Sequence, residues 1–400
     1  MGPFPRSILL QQLPAMSRQP IVLFTAFEPS GDDHASSVIA ALRARRPDIR
    51  VFAWGGPKMQ AAGAIIVERT GDDAVMGVPG LKKIHEHRLI NRRVAEWISV
   101  HRPDLHVPVD SPAANFPICE AARARGVRIV HVVAPQIWAW GPWRIGKLRR
   151  LTDLVLCLLP FEEGWFTTRG VPAHFIGHPI FDHAVDEASL DRIGSGFPVA
   201  RAGEWKLALM PGSRPSELER NFPLMLDAFR LIRKSRPHVI GMVAARNEVT
   251  QRRLESIAAR VGGWPDGLHC AAGKTEAVIR WCHLSIVVSG TVTLQIARQA
   301  RPMVIQYVAN PWFFHAVARW IVKTKFFTLP NLIMGHEVAP EYVPHLGGPE
   351  PIADAAMALI DDPIRYQRQI ADLREIARRF EGRNAAEAAA VEIDRMLQRP

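Results

Sequence analysis

The chain has 400 residues, 48% hydrophobic and 22% charged, and Lys+Arg outnumber Asp+Glu by 50 to 39, giving a formal charge of +11. At about 100–200 residues per domain, this predicts two or three domains with sizeable cores and excludes a disordered or fibrous chain. The basic excess favours an anionic partner (a membrane surface, a phosphorylated substrate or nucleic acid) over a merely solvated basic face.

Residues 1–18 make a poor signal peptide and read as a disordered lead, with Met16 as an alternative start. Short apolar runs then alternate with helical patterns. Strands are expected at 20–27, 51–56, 104–110, 128–135 and 153–160, with helices at 32–47 and 115–126. The polar stretch 186–204 breaks the pattern and marks a domain boundary. A second series of strands follows at 205–212, 238–245, 284–290 and 302–308, and the tail 364–398 reads as helix. The expected organisation is a lead (1–18), a first domain (19–190), a second domain (200–363) and a helical tail (364–400). Alternating strands and helices predict two doubly wound α/β domains with a cleft between them, and ligands outside the carboxyl ends of the strands. No run approaches the roughly 20 apolar residues of a membrane span. Cys119, Cys157, Cys270 and Cys282 lie among apolar neighbours without a C-x-x-C pair, and read as reduced core thiols.

Several strand ends carry candidate chemistry. In "MPGSR" (210–214), Gly212 permits a tight turn and the amides of Ser213 and Arg214 open a helix. A cation in that first turn opposes the helix dipole unless an anion sits between them, so a phosphate is expected there; a plain loop with a surface arginine is the alternative. "SGT" (289–291) repeats the design, and together the two loops suit a diphosphate, although the second alone reads as an ordinary cap. In "FEPSGDD" (27–33), Glu28, Ser30 and Asp32 offer polar contacts, or Ser30 or Asp32 simply caps the helix. Asp110, in "VPVDSPAAN" (107–115), could take a proton from a substrate hydroxyl or cap the following helix. Asn331 in "LPNL" and His178 in "GHP" are either site residues or loop braces. The basic, apolar-striped stretch 77–98 suits a helix on an anionic membrane or a core helix with a basic outer face. Three tryptophans and four basic residues in 134–150 are not joined by any nucleic-acid motif, and no nucleic-acid partner is expected.

Nine of these stretches, in order from about residue 20 to the tail, resemble the lipid-A-disaccharide synthase family. "AFEPSGD" matches its A-G-E-x-S-G-D, "GGPKMQAAG" its G-G-P-x-M-x-x-A-G, "VPVDSPAAN" its G-I-D-A-P-D-F-N and "APQIWAW" its S-P-S-V-W-A-W. "LLPFE", "GHP", "MPGSR", "SGTVTL" and "TLPNL" complete the series. The resemblance implies an inverting glycosyltransferase of the two-domain, Rossmann-like GT-B type. It implies transfer of 2,3-diacylglucosamine from UDP to 2,3-diacylglucosamine 1-phosphate, at the cytoplasmic face of the inner membrane, peripherally and with neither metal nor cofactor. It also implies that Asp110 is the general base and Glu28 a catalytic partner. Gly212, Ser213, Arg214, Ser289, Gly290, Thr291 and Gln295 would bind nucleotide, and Ser30, Asp32, Asn331 and His178 substrate. The helical tail leaves a homodimer open.

Three positions depart from the family pattern. Ala113 stands for a second aspartate, Gln295 for a glutamate expected to accept from the ribose, and Phe27 for a glycine beside Glu28, where a ring could crowd the substrate. Gln295 should cost about 1–2 kcal/mol of nucleotide binding. These departures raise two alternatives: a related UDP-sugar transferase with another acceptor, or a silent homologue that binds nucleotide-sugar or lipid.

Overall fold

The computed structural model describes residues 18–70, 81–139, 141–201, 203–308 and 324–398, with backbone only for 81–85. The lead to residue 17, and the parts of the 77–98 and 312–341 stretches at 77–80 and 312–323, lie outside the described residues.

The first sheet is built from β1 (Ile21–Thr25), β2 (Arg50–Gly55), β3 (Ile65–Arg69), β4 (Leu105–Pro108), β5 (Arg128–Val132), β6 (Leu154–Cys157) and β7 (Ala173–Phe175), in the order β3-β2-β1-β4-β5-β6-β7. The second contains β8 (Trp205–Met210), β9 (Val239–Ala245), β10 (Leu268–Ala272), β11 (Leu284–Val288), β12 (Met303–Val308) and β13 (Glu341–His345), in the order β10-β9-β8-β11-β12-β13. Counted from its own first strand, each sheet begins 3-2-1-4-5-6, the doubly wound order. The winding reverses between β1 and β4 in one sheet, and between β8 and β11 in the other. Both of these pairs are parallel neighbours.

The central strands are apolar throughout because helices cover both faces of such a sheet. β1 and β11 are buried along their whole length. In the second sheet the long helix Pro215–Ser235 supplies one cover. Leu218, Phe222, Met225, Leu226, Phe229 and Ile232 recur at i, i+4, i+7, i+8, i+11 and i+14, a single stripe, and all are buried against Leu207, Leu209, Val243 and Ile286. Each such side chain contributes roughly 1.5–3 kcal/mol by leaving water. Gly241 in β9 keeps this packing possible, since a Cβ there would meet the Phe229 ring at 2.5 Å. Phe229→Ala would open the centre of this layer.

Contacts divide the chain into two compact units. One comprises residues 1–134, 149–156 and 386–400; the other comprises 135–148 and 157–385. The expected helical tail is two helices, Pro363–Arg378 and Ala385–Gln398, separated by a turn in which Gly382 takes φ 70°. Residues of the second helix from Ala386 onward belong to the first unit, where Asp394 receives Arg45 Nε at 3.0 Å and Arg46 Nη1 at 2.6 Å. The polar stretch 186–204 contains the helix Glu187–Gly194. All four cysteines are free thiols, three of them buried, and burial pushes Cys270 up to about 11 and Cys282 up to about 12. Among the described residues no helix is long and apolar enough to cross a membrane.

Candidate functional site

Each winding reversal carries two loops at the carboxyl ends of its central strands, and these are the loops singled out in the sequence.

In the first unit, the loop after β1 holds Glu28 and the turn after β4 holds Asp110 and Ser111. Glu28 is the N-cap of the helix Pro29–Arg45, yet its carboxylate makes no cap bond. Its Oε1 instead accepts from the Ser111 hydroxyl at 3.0 Å. Asp110 and Ser111 both take left-handed backbone conformations, φ 51° and 39°. Two adjacent non-glycine residues there cost about 1–3 kcal/mol each, less for Asp than for most. Burial pushes the Asp110 carboxyl above the ordinary carboxylate range; the Ser111 amide opposes this and the nearby Glu28 charge adds to it.

The strained turn is held from beneath by residues the sequence reading missed. Asn115, fully buried, donates from Nδ2 to the Asp110 carbonyl at 2.8 Å and to the Val109 carbonyl at 3.3 Å. Its Oδ1 accepts from Thr25 Oγ1 at 2.7 Å, and Thr25 Oγ1 lies 2.9 Å from His106 Nε2. The threonine proton is committed to Asn115, so His106 must carry its proton on Nε2 and donate it. Burial holds His106 and the neighbouring His131 neutral, down to about 3 and about 4. The available signal was Asn115's place in the first turn of the helix Pro112–Arg123, directly after the strand end. The expectation at 115–126 was only of a helix.

Asp32 and Ser30 separate. Ser30 is exposed in the first helical turn. Asp32 is buried, and its carboxylate accepts from the backbone N–H of Gly56, Lys58 and Met59 at 3.0–3.1 Å, capping the helix Pro57–Ala61. The resemblance implied substrate for Asp32 and the residues alone a helix cap; the carboxylate is engaged in a cap, but of the helix Pro57–Ala61 rather than of its own. The Phe27 ring turns inward. It is buried, 7% exposed, with its ring edge-on to His87 at 6.0 Å. In the helix Leu81–His101, Val94 and Ile98 are buried while Arg92 and Arg93 point outward, and Arg93 pairs with Glu68. The described part of this helix is thus a core helix with a basic outer face.

In the second unit, the loops after β8 and β11 lie side by side. Gly212 has φ 100°, and a Cβ on it would come within 3.3 Å of Val288 at the end of β11. Arg214 caps the helix Pro215–Ser235. The anion expected between Arg214 and the helix is present within the protein: Glu217. Its Oε1 receives Arg214 Nη1 at 2.8 Å, and its Oε2 receives the amides of Ser213 and Arg214 at 3.4 and 3.3 Å. A glutamate three residues into a helix answers the cap amides in this way, a signal the sequence reading passed over. In the second loop, among the described residues, neither Gly290 N nor Thr291 N meets an acceptor. Gln295, half-buried one turn into the following helix, makes no side-chain hydrogen bond with a described residue.

Asn331 and His178 read as site residues or loop braces, and the resemblance implied substrate binding. Asn331 spends its capacity inside the protein: Oδ1 accepts from Val338 N and Ala339 N, and Nδ2 donates to Ala339 O and Glu341 Oε2, all within 3.0 Å. It braces its loop. His178 caps the turn Pro179–Phe181 through Nδ1, edge-on to Phe380.

Comparison with known proteins agrees with this fold. The family model described as Lipid-A-disaccharide synthetase matches residues 22–393. The lipid-A-disaccharide synthase of Azotobacter vinelandii is 34% identical over 370 residues, covering 92% of this chain and 96% of that protein. That of Pseudomonas putida is 34% identical over 375 residues, with the same coverage. Among solved structures, the UDP-GlcNAc 2-epimerase from Neisseria meningitidis, bound to UDP-GlcNAc, superposes with a TM-score of 0.62 at 10% identity, covering 95% of this chain and 99% of that one. The glycosyltransferase of kitacinnamycin does so with 0.62 at 17% identity and the same coverage. At such identities these likenesses show the fold, and it is the GT-B fold. Sheet order, family model and relatives agree: the chain belongs to the lipid-A-disaccharide synthase family of glycosyltransferases.

Proposed function

We propose that the chain transfers 2,3-diacylglucosamine from UDP-2,3-diacylglucosamine to the 6-hydroxyl of 2,3-diacylglucosamine 1-phosphate, with inversion. Asp110 takes the proton from that hydroxyl, its oxygen bonds to C1 of the donor sugar, and the C1–O bond breaks with its electron pair leaving on UDP. The product is the β-1′,6-linked disaccharide 1-phosphate. A carboxylate raised by burial is a better base for this step than one at its ordinary value, because a base works best near the operating pH. Glu28, tethered by Ser111, keeps a second negative charge beside it.

On the donor side, the amides of Gly290 and Thr291, those of Ser213 and Arg214 once Glu217 gives way, and the Arg214 guanidinium receive the diphosphate. The Gly290 and Thr291 amides, already free of any described acceptor and aimed, stabilise growing charge on the leaving group without reorganising; those of Ser213 and Arg214 do so only after Glu217 moves aside. Gln295 takes the ribose. The reading routes no charge through a metal, so a chelator should leave the rate unchanged. The basic excess and the basic outer face of the helix Leu81–His101 support peripheral attachment to the anionic cytoplasmic face of the inner membrane. Flotation with liposomes with and without anionic lipid tests that attachment.

The observation that carries the reading is Asp110, raised by burial and held in a strained turn beside Glu28 where the first sheet reverses. The test is incubation with both lipids, following UDP release and disaccharide formation. Coupled appearance of both supports it. UDP binding without turnover, or donor hydrolysis without disaccharide, would overturn it.

A further inference from the structure

The edge of the second sheet opposite the Gly212 and Ser289–Thr291 loops carries a cavity of its own, of about 370 Å³. Lys206 near the start of β8, His283 just before β11 and Arg301 just before β12 converge on it. Arg280 and Trp281 join them from the end of the helix Thr275–Trp281. Because these strands are parallel, their amino ends share one edge. From Lys206 to Gly212 the chain follows β8 for about 20 Å at the usual rise per residue, so a ligand here is distinct from a nucleotide at the carboxyl edge.

The lining is rich in donors and short of acceptors. Arg280 engages both nearby carboxylates: its Nε and Nη2 meet Asp191 at 2.9 and 3.2 Å, and Nη2 meets Glu187 at 3.0 Å. Arg301 acts on Asp191 only through its field, without an ion pair. It donates Nη2 to the Arg280 carbonyl at 2.7 Å, closing the helix end, while its Nε and Nη1 meet no acceptor among the described residues. Lys206 pairs with no described carboxylate, and its Nζ stands 5.7 Å over the Trp281 ring. His283 Nδ1 accepts from Lys206 N at 3.3 Å, so the ring proton sits on Nε2, where it is available to donate. Burial, and then the charges of Lys206 and Arg301, push this imidazole below its ordinary value and keep it neutral. Two cations and a ring N–H thus face one cavity with no described carboxylate between them. Such like charges repel, and an anion held between them reverses the sign of that energy.

We propose that this cavity is a second anion site, which takes a phosphate monoester or diphosphate group through Lys206, Arg301 and the His283 Nε2–H. These groups crowd several acceptor oxygens into a small space, which is what a lining of donors recognises. Trp281 and Leu190 add an apolar side that suits the organic part of a phosphorylated molecule. The site is separate from the proposed transfer and does not depend on it.

The experiment titrates the full chain with pyrophosphate and with inorganic phosphate while UDP is saturating, so that the loops after β8 and β11 are occupied. Calorimetry should show one further binding event. Lys206→Met keeps an aliphatic stem on Trp281 and removes the charge. It should weaken pyrophosphate at least tenfold with UDP affinity within twofold of the parent. Ser195→Glu, at an exposed position in the lining, adds a carboxylate without entering the core and should weaken pyrophosphate similarly. Lys274, over the Phe197 ring, is outside the lining, and Lys274→Met should leave pyrophosphate within twofold. Absence of the further event would overturn the proposal. So would parental pyrophosphate affinity in both cavity variants, or an equal loss in Lys274→Met. Flotation with phosphatidylcholine vesicles, with and without phosphatidic acid, separates the sources of the phosphate. Binding that needs phosphatidic acid and falls in Lys206→Met assigns a lipid headgroup; vesicle binding indifferent to Lys206→Met assigns a free phosphorylated molecule.

Discussion

The turn after β4 and the loops after β8 and β11 occupy the same topological position in their respective sheets, but they are built from different materials. The first presents side chains, Asp110, Ser111 and Glu28, on backbone held in a costly conformation by a buried amide. The second presents mostly backbone N–H groups in relaxed turns, where strain is avoided by glycine and the exposed cap is satisfied by Glu217. Proton transfer needs one group with a tuned affinity for a proton, and only a side chain can be tuned. Gripping a diphosphate needs several donors of fixed direction, which backbone supplies without tuning. The first site should therefore fail abruptly under single substitutions and the second gradually.

Asp110→Asn puts the largest effect on the first side of that contrast. The rate of UDP release should drop about 10³-fold while UDP affinity by calorimetry stays the same; a near-normal rate would remove the base. Next comes Asn115→Ala, which touches no substrate. Loss of the brace should lower kcat about tenfold to hundredfold through misplacement of the turn, with donor KM unchanged. Unfolding in urea should also show a loss of about 1–3 kcal/mol from the carbonyls left without a donor. A parallel rise in donor KM would mean that Asn115 is only structural. On the second side, Gln295→Glu should tighten UDP by about tenfold, restoring a charged acceptor for the ribose; unchanged affinity would show that the ribose is held otherwise. Glu217→Ala should raise UDP affinity a few-fold by clearing the amides of Ser213 and Arg214, at about 1 kcal/mol of helix stability for the lost cap. Weaker UDP binding in that variant would show Glu217 helping rather than competing. The smallest effect is a displacement of the pH profile. Asp110 must be deprotonated to act, and its affinity for the proton is raised first by burial and further by Glu28. The acid limb of kcat/KM should therefore lie above the ordinary carboxylate range. Glu28→Gln removes the like charge and should move that limb to lower pH. An unmoved limb would separate the two carboxylates.

The central strands were legible in the sequence because strands buried on both faces are written as unbroken apolar runs, as in Ile21–Thr25 and Leu284–Val288. The four strands the sequence reading missed, β3, β7, β10 and β13, are the four sheet edges. An edge strand is partly wet, so its pattern is diluted: Ile65–Arg69 alternates exposed and half-buried, and Ala173–Phe175 is too short to show a period. The same logic applies to the candidate site. Loops at strand ends could be recognised by their Gly, Ser and Pro residues and by the family motifs. The actual partners of Asp32, Asn331 and Asn115 could not, because a buried carboxylate or amide is written identically whether it faces a ligand or a backbone 24 residues away. The direction of the Phe27 ring was hidden for a related reason: sequence places a ring beside Glu28 but does not say which way it turns.

Glu217 gives the loop after β8 a resident anion of its own. If the diphosphate sits on the same amides, arrival of UDP-sugar is an exchange of one negative group for another, and those N–H groups are not left bare when the product departs. Part of the intrinsic grip is surrendered in that trade, and release is eased by the returning carboxylate. An enzyme whose product carries the same diphosphate as its donor gains turnover from a handhold that lets go readily.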